Sequence, residues 1–96
     1  MRNYEIAYIA DSDLDETALT ELEEKVKGWV EAGGGKVADV DRWGKRWLAY
    51  PIQKKNDGYY FFVKAEMPAD APIEIERNLR LNEQILRFMV TVQETA

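Results

Sequence analysis

Cysteine and histidine are both absent from this chain of 96 residues. It therefore has no means of forming a disulfide framework or a thiolate metal site, and it lacks the commonest acid–base group. No apolar run approaches the roughly 20 residues that span a bilayer, and the first residues lack the apolar stretch of a signal peptide. Phosphate-loop and metal-ligand motifs are missing as well. We expect a cytoplasmic protein without cofactor, membrane partner, small-molecule substrate or catalytic activity.

Positive charge is scarce overall but not evenly spread. The chain has 13 basic and 18 acidic residues, a formal net charge of −5. This balance argues against general affinity for nucleic acid, because counterion release requires clustered cations. Acidic residues crowd positions 11–24, whereas basic residues gather in the middle of the chain: Arg42, Lys45, Arg46, Lys54 and Lys55. A local basic surface and a solvated face without a partner are both open interpretations.

The first third of the chain predicts a strand and then a helix. Alternating Tyr4, Ile6 and Tyr8 indicate a strand with one buried face. In "DSDLDE", Asp13 or Asp15 can cap a helix, and Asp13 with Glu16 has the spacing of a capping box. Apolar residues then recur at helical spacing, and "GGG" ends the helix. These apolar positions are Ala18, Leu19, Leu22, Val26, Trp29 and Val30.

The remainder predicts two strands, a helix and a final strand. Val37 to Ile52 forms one long strand that bends near Gly44, and Pro51 places it at a sheet edge. The turn signal "KKNDG" leads into a strand that ends near Met67. Asp70 begins a second helix, and Ile85 to Gln93 forms the last strand.

This β-α-β-β-α-β order predicts an α+β fold for a single domain, residues 1–96. Right-handed crossovers and one-sided helices give a ferredoxin-like, four-stranded antiparallel sheet with both helices on one face. The other face stays open, and we expect the side chains of Tyr60, Phe62, Arg87 and Met89 to emerge there. Aromatic rings and arginines on an open sheet suit RNA, because bases stack on both. The alternative is that these aromatic side chains pack on each other or on a protein partner.

The block "WGKRWLAYPIQK", Trp43 to Lys54, combines aromatic and basic residues on the predicted edge strand. We expect Leu48, Tyr50 and Ile52 to point largely inward, with the Tyr50 hydroxyl near the surface. Arg46 and Lys54 should then face solvent. The two tryptophans have no assigned place in the core, which is typical of an interface.

Several segments resemble the family of the bacterial small-subunit ribosomal protein numbered six. They are "RNYEI", "WGKRWLAYPI", "GYY", "AEMP" and "LRLNEQILRFMV", in one register over nearly the whole chain. The resemblance implies a ferredoxin-like, non-catalytic constituent of the small ribosomal subunit. It also implies binding to the central domain of small-subunit ribosomal RNA, together with the neighbouring small-subunit protein numbered eighteen.

The same resemblance implies site residues. RNA contacts are carried onto Arg2, Arg46, Tyr50, Lys54 and Arg87, with Trp43 and Tyr60 facing the protein partner. Two positions depart from the family pattern: Asn3 stands where a cation is common, and Trp47 replaces a polar or basic residue. A second interpretation is therefore a redesigned or divergent scaffold that keeps the fold and binds no RNA, or that self-associates through its aromatic edge strand.

Overall fold

One antiparallel sheet carries two helices on a single face. The computed structural model describes residues 1–93. Strands run in the order β2-β3-β1-β4 across the sheet, which confirms the ferredoxin-like arrangement. The elements are β1 (Arg2–Asp11), α1 (Glu16–Ala32), β2 (Lys36–Ile52), β3 (Lys55–Met67), α2 (Ala71–Leu81) and β4 (Ile85–Gln93).

The core lies between the sheet and the two helices. Every second residue is buried from Tyr4 to Ala10 in β1 and from Phe61 to Met67 in β3, and the helices bury apolar residues that recur at helical spacing. Because side chains alternate along a strand, the intervening residues point to the opposite face, which no helix covers. The buried set includes Tyr4, Ile6, Tyr8 and Ala10 of β1; Phe61, Val63, Ala65 and Met67 of β3; Leu19, Leu22, Val26 and Val30 of α1; and Ile75 and Leu79 of α2.

The ends of α1 differ in part from expectation. Asp15 is the N-cap, and its Oδ1 accepts a hydrogen bond from the amide of Ala18 at 2.8 Å. The predicted capping box of Asp13 and Glu16 is wrong, because the Asp13 carboxylate is bound by Lys55 instead. At the other end Gly34 has φ +86, a conformation that glycine adopts without strain. The triple glycine therefore ends the helix as predicted.

Strand β2 is an edge strand, as Pro51 indicated, but the β2–β3 turn lies earlier than predicted. Ile52 pairs with Lys55, so the turn is Gln53–Lys54, with φ 50 and 65. Positive φ at both central residues defines the two-residue turn that matches strand twist. The segment Asn56–Gly58 is instead part of β3. A Cβ on Gly58 would lie 2.4 Å from Ile9 Cγ2, so glycine is there to allow close packing.

The register of β2 against β3 is interrupted three times, between Val37 and Asp39, between Arg42 and Gly44, and between Trp47 and Ile52. The second interruption confirms the bend expected near Gly44, whose φ is +80. Bulges of this kind twist an edge strand and make it a poor template for further pairing.

Candidate nucleic-acid interface

The open face of the sheet carries an apolar groove across three strands. Ala7 pairs with Phe62 on one side and with Met89 on the other, and Ile9 pairs with Tyr60 and Arg87 in the next row. These side chains line a groove of about 270 Å³. The four residues expected on this face, Tyr60, Phe62, Arg87 and Met89, are all there. Ala7 and Ile9 form the groove floor, on the face to which the alternation along β1 assigns them.

Arg87 and Tyr50 come together at one end of this groove. Arg87 Nη1 donates a hydrogen bond to the Tyr50 hydroxyl at 2.5 Å, and the guanidinium carbon lies 5.8 Å from the ring centroid. The side chain of Tyr50 is 57% exposed, whereas Leu48 and Ile52 are half-buried. The inward orientation expected for Tyr50 is therefore wrong, because the register interruption after Trp47 breaks the alternation along β2. A cation and an exposed ring now stand side by side.

Arg46, Trp43 and Phe62 form a second cation–aromatic group on the same face. The Arg46 guanidinium lies 5.1 Å from the Trp43 ring, and its Nε donates to the Trp43 carbonyl at 3.4 Å. The Trp43 ring in turn lies 4.6 Å from the Phe62 ring, tilted by 49°. Trp43 is 49% exposed, so much of its ring area still faces solvent. A guanidinium held over an indole keeps its outer edge available to an anion.

Two cations of the central basic group are engaged within the protein. Arg42 binds Glu23 at 2.8 Å and Glu16 at 2.5 Å, both on α1. The hydrogen bond that Arg42 Nε donates to Glu23 raises the pKa of the Arg42 guanidinium above its usual value. Lys55 binds Asp13 and, at 3.5 Å, Asp11, and the hydrogen bond to Asp13 raises the pKa of the Lys55 ammonium.

The other three central cations form no salt bridge within residues 1–93. Lys54 is exposed in the β2–β3 turn, Lys45 lies 5.3 Å from the Tyr59 ring, and Arg46 stacks on Trp43 as described. Lys45 was not singled out as a site residue, although its place in the basic block was a signal for it. The basic surface is thus smaller than the sequence predicts, and it is concentrated around the β2–β3 turn.

Arg2 is separated from the other predicted RNA-binding residues. It begins β1 and pairs with Met67, whereas Asp11, at the other end of β1, pairs with Gly58 near the β2–β3 turn. Nine residues of extended strand place these two ends about 30 Å apart. The structure therefore brings Arg46, Tyr50 and Arg87 to the turn end of the sheet, near Lys54, and leaves Arg2 at the far end.

The chain matches the family model of ribosomal protein S6 over residues 3–92. The chain belongs to the ribosomal protein S6 family. It is 46% identical over 94 residues to small ribosomal subunit protein bS6 of Clostridium novyi, covering 98% of this chain and 99% of the relative. It is 47% identical over 90 residues to bS6 of Alkaliphilus metalliredigens, covering 94% of this chain and 95% of that protein.

A solved structure agrees with the family match. The crystal structure of 30S ribosomal protein S6 from Thermotoga maritima superposes with a TM-score of 0.91 at 30% identity, covering 96% of this chain and 87% of that one. The resemblance drawn from the residues is therefore confirmed, and so is the fold it implied. Membership in this family also confirms two further predictions, a role in translation as a ribosomal protein and a location in the cytoplasm. Neither helix within residues 1–93 is long and apolar enough to cross a membrane.

Proposed function

We propose that this chain is a non-catalytic, structural constituent of the small ribosomal subunit. It binds the central domain of small-subunit ribosomal RNA together with the neighbouring small-subunit protein numbered eighteen. Membership in the ribosomal protein S6 family supports the first part. The single observation that supports RNA binding is the pair of cation–aromatic groups on the open face, Arg87 with Tyr50 and Arg46 with Trp43.

RNA engages the turn end of the sheet in this proposal. Arg46 and Arg87 offer guanidinium edges to phosphates, and the flat ring of Tyr50 offers a stacking surface for a base. Lys54 adds a point charge from the turn, where its exposure leaves it free to follow the RNA backbone. Arg2 makes a separate phosphate contact at the opposite end of β1. Together these residues provide local positive charge on a chain whose net charge is −5.

The protein partner takes the apolar part of the open face. Trp43 is half exposed beside Phe62, and the half-buried Tyr60 lines the groove that crosses β3, β1 and β4. Large aromatic side chains of this kind are the usual anchors of protein interfaces. Because the partner also covers the rings next to Arg46, it completes the surface that RNA meets, and RNA affinity should depend on its presence.

A filter-binding titration with central-domain RNA tests the proposal, with the partner protein present and at two salt concentrations. Arg87→Ala and Arg46→Ala should each weaken binding. Each should also reduce the slope of log K against log salt by about one, the change expected when one phosphate contact is lost. Arg77→Ala is the matched control, because Arg77 is exposed on α2, away from the open face, and its one salt bridge within residues 1–93 is to Glu74. Absence of any complex at low salt with the partner added would overturn the proposal.

The alternative is a scaffold that no longer binds RNA and self-associates through β2. The observation in its favour is Trp47, which is 78% exposed on the edge strand. The three register interruptions along β2 argue against it, because a bulged edge pairs poorly with another strand. A dimer by light scattering, together with no RNA complex, would establish this alternative.

A further inference from the structure

The charges of the open face change sign along the strands. At the turn end, Arg46 and Arg87 project beside exposed rings. At the other end, a pocket of about 350 Å³ is lined by three carboxylates against a single ammonium: Glu5, Asp39 and Asp41 against Lys64. Beyond this pocket, Glu66 pairs in register with Lys36, so these two residues leave the net charge of this end of the face unchanged. A phosphate backbone is repelled from the acidic end and attracted to the basic one.

Aromatic rings form the wall of the acidic pocket. Trp43 and Phe62 both line it, in contact with each other at 4.6 Å between ring centroids. Trp43 Nε1 donates a hydrogen bond to Asp41 Oδ2 at 3.0 Å, which orients the indole over the pocket. Asp39 Oδ1 accepts from the amide of Val40 at 2.9 Å, so this carboxylate is also held in place. Rings and carboxylates together suit a lysine or arginine side chain, which can stack and form ion pairs at once.

The acidic pocket adjoins the apolar groove. Phe62 lines both, with Trp43 and the carboxylates on one side and Ala7 and Met89 on the other. A single protein segment lying across Phe62 can therefore place an apolar side chain in the groove and a cationic one in the pocket. The phosphate backbone of a nucleic acid does not match the acidic pocket, because phosphates carry the same sign as the lining carboxylates.

We propose that the open face is divided between its two partners along the strands. The end with the acidic pocket receives a lysine or arginine of the partner protein, the groove receives a neighbouring apolar side chain, and RNA on this face is confined to the turn end. The phosphate contact proposed for Arg2 lies off this face, because Arg2 is in register with the core-facing Met67. This inference rests on the proposed function, because its occupant is the partner protein named there. It adds Glu5, Asp39 and Asp41 as the residues that select that partner by charge.

Binding of the purified protein numbered eighteen from the same organism, measured by titration calorimetry without RNA, tests this division. Asp39→Lys should weaken binding about tenfold or more, since it places a like charge against the incoming cation. Asp39→Asn keeps the acceptor for the Val40 amide and should weaken binding by a smaller factor. Glu21→Lys is the matched control: it makes the same change of charge on the exposed side of α1 and should leave affinity unaltered. Equal urea midpoints verify that each variant is folded.

RNA binding by the same variants completes the test. With the partner saturating, Asp39→Lys should leave RNA affinity within about twofold, whereas Arg87→Ala lowers it. Unchanged partner affinity in both Asp39 variants overturns the division, and so does Asp39→Lys strengthening RNA binding severalfold, which would place RNA at the acidic end. Binding of RNA without any binding of the partner also overturns it. If the wild-type chain binds neither, the proposed function itself fails.

Discussion

Replacing Tyr8 by phenylalanine should make this protein more stable. Tyr8 lies on the core face of β1, almost fully buried, with its ring stacked on Phe61 at 4.9 Å and an interplanar angle of 5°. Its hydroxyl is sealed from solvent and has no hydrogen-bond partner within residues 1–93. In the unfolded chain the same hydroxyl is hydrated, so folding removes its hydrogen bonds to water and provides no others. Phenylalanine keeps the stacked ring and removes that unsatisfied group.

The size of the effect follows from the cost of an unsatisfied buried donor, about 1–3 kcal/mol. We expect Tyr8→Phe to raise the free energy of unfolding by about 1–2 kcal/mol, as loss of one oxygen leaves a small void that offsets part of the gain. For a domain of this size, each kcal/mol raises Tm by about 4–8 °C. Urea unfolding at pH 7 should show the midpoint rise with an unchanged m-value.

The pH dependence gives a second readout. Burial raises the pKa of the Tyr8 phenol well above its usual value, the Glu23 carboxylate raises it further, and Arg42 opposes this. Above about pH 10 the unfolded chain therefore loses this proton while the native protein retains it, so wild-type stability falls by up to about 1.4 kcal/mol per pH unit. Tyr8→Phe lacks this loss, and its advantage should grow between pH 9 and pH 11.

Tyr4→Phe is the matched control for this prediction. It makes the same chemical change on the same strand, but the Tyr4 hydroxyl is not among the buried atoms without a partner. Its effect on stability should be close to zero. Destabilisation by Tyr8→Phe at pH 7, or an advantage that stays constant to pH 11, would refute the reasoning.

Three further predictions concern the α1–β2 contact, the β3 glycine and the edge strand. Arg42→Met should destabilise the protein by about 1–3 kcal/mol in urea unfolding, because the buried Glu23 carboxylate loses its hydrogen bond to a charged donor. Lys27 remains 3.4 Å from Glu23 and limits the loss. No effect on stability would mean that the contact between Arg42 and Glu23 is not formed in solution. Gly58→Ala should cost about 1–3 kcal/mol, since its Cβ would meet Ile9 Cγ2 at 2.4 Å and the Ala10 carbonyl oxygen at 3.0 Å, and a neutral result would show that β1 and β3 yield easily. By light scattering the chain should be monomeric with or without Trp47→Lys, and a dimer that this change dissociates would count for self-association instead.

The fold was predictable because its signals are local. Tyr4, Ile6 and Tyr8 alternate along β1, and the apolar residues of α1 recur at helical spacing, so each element shows in its own stretch of chain which face it buries. One-sided helices and the β-α-β-β-α-β order leave few ways of packing. The residues of the open face were predictable for the same reason, because the residues that alternate with buried ones along a strand point to the opposite face of the sheet.

Tertiary packing settled what depends on contacts between distant segments. Nothing near Asn56–Gly58 in the sequence shows that Gly58 sits against Ile9, so a strong turn signal pointed to the wrong residues. The pairing of Arg42 with Glu23, and of Tyr50 with Arg87, 37 positions apart, arises only when strand register and bulges are in place. Composition and periodicity therefore specified which residues are buried and which are basic. The tertiary structure decided which cations form ion pairs with carboxylates of α1 and the β1–α1 loop, and which cations remain on the open face. Coulomb and hydrogen-bond energies depend on the distance between two groups in space, and the residues next to each group in the sequence do not set that distance.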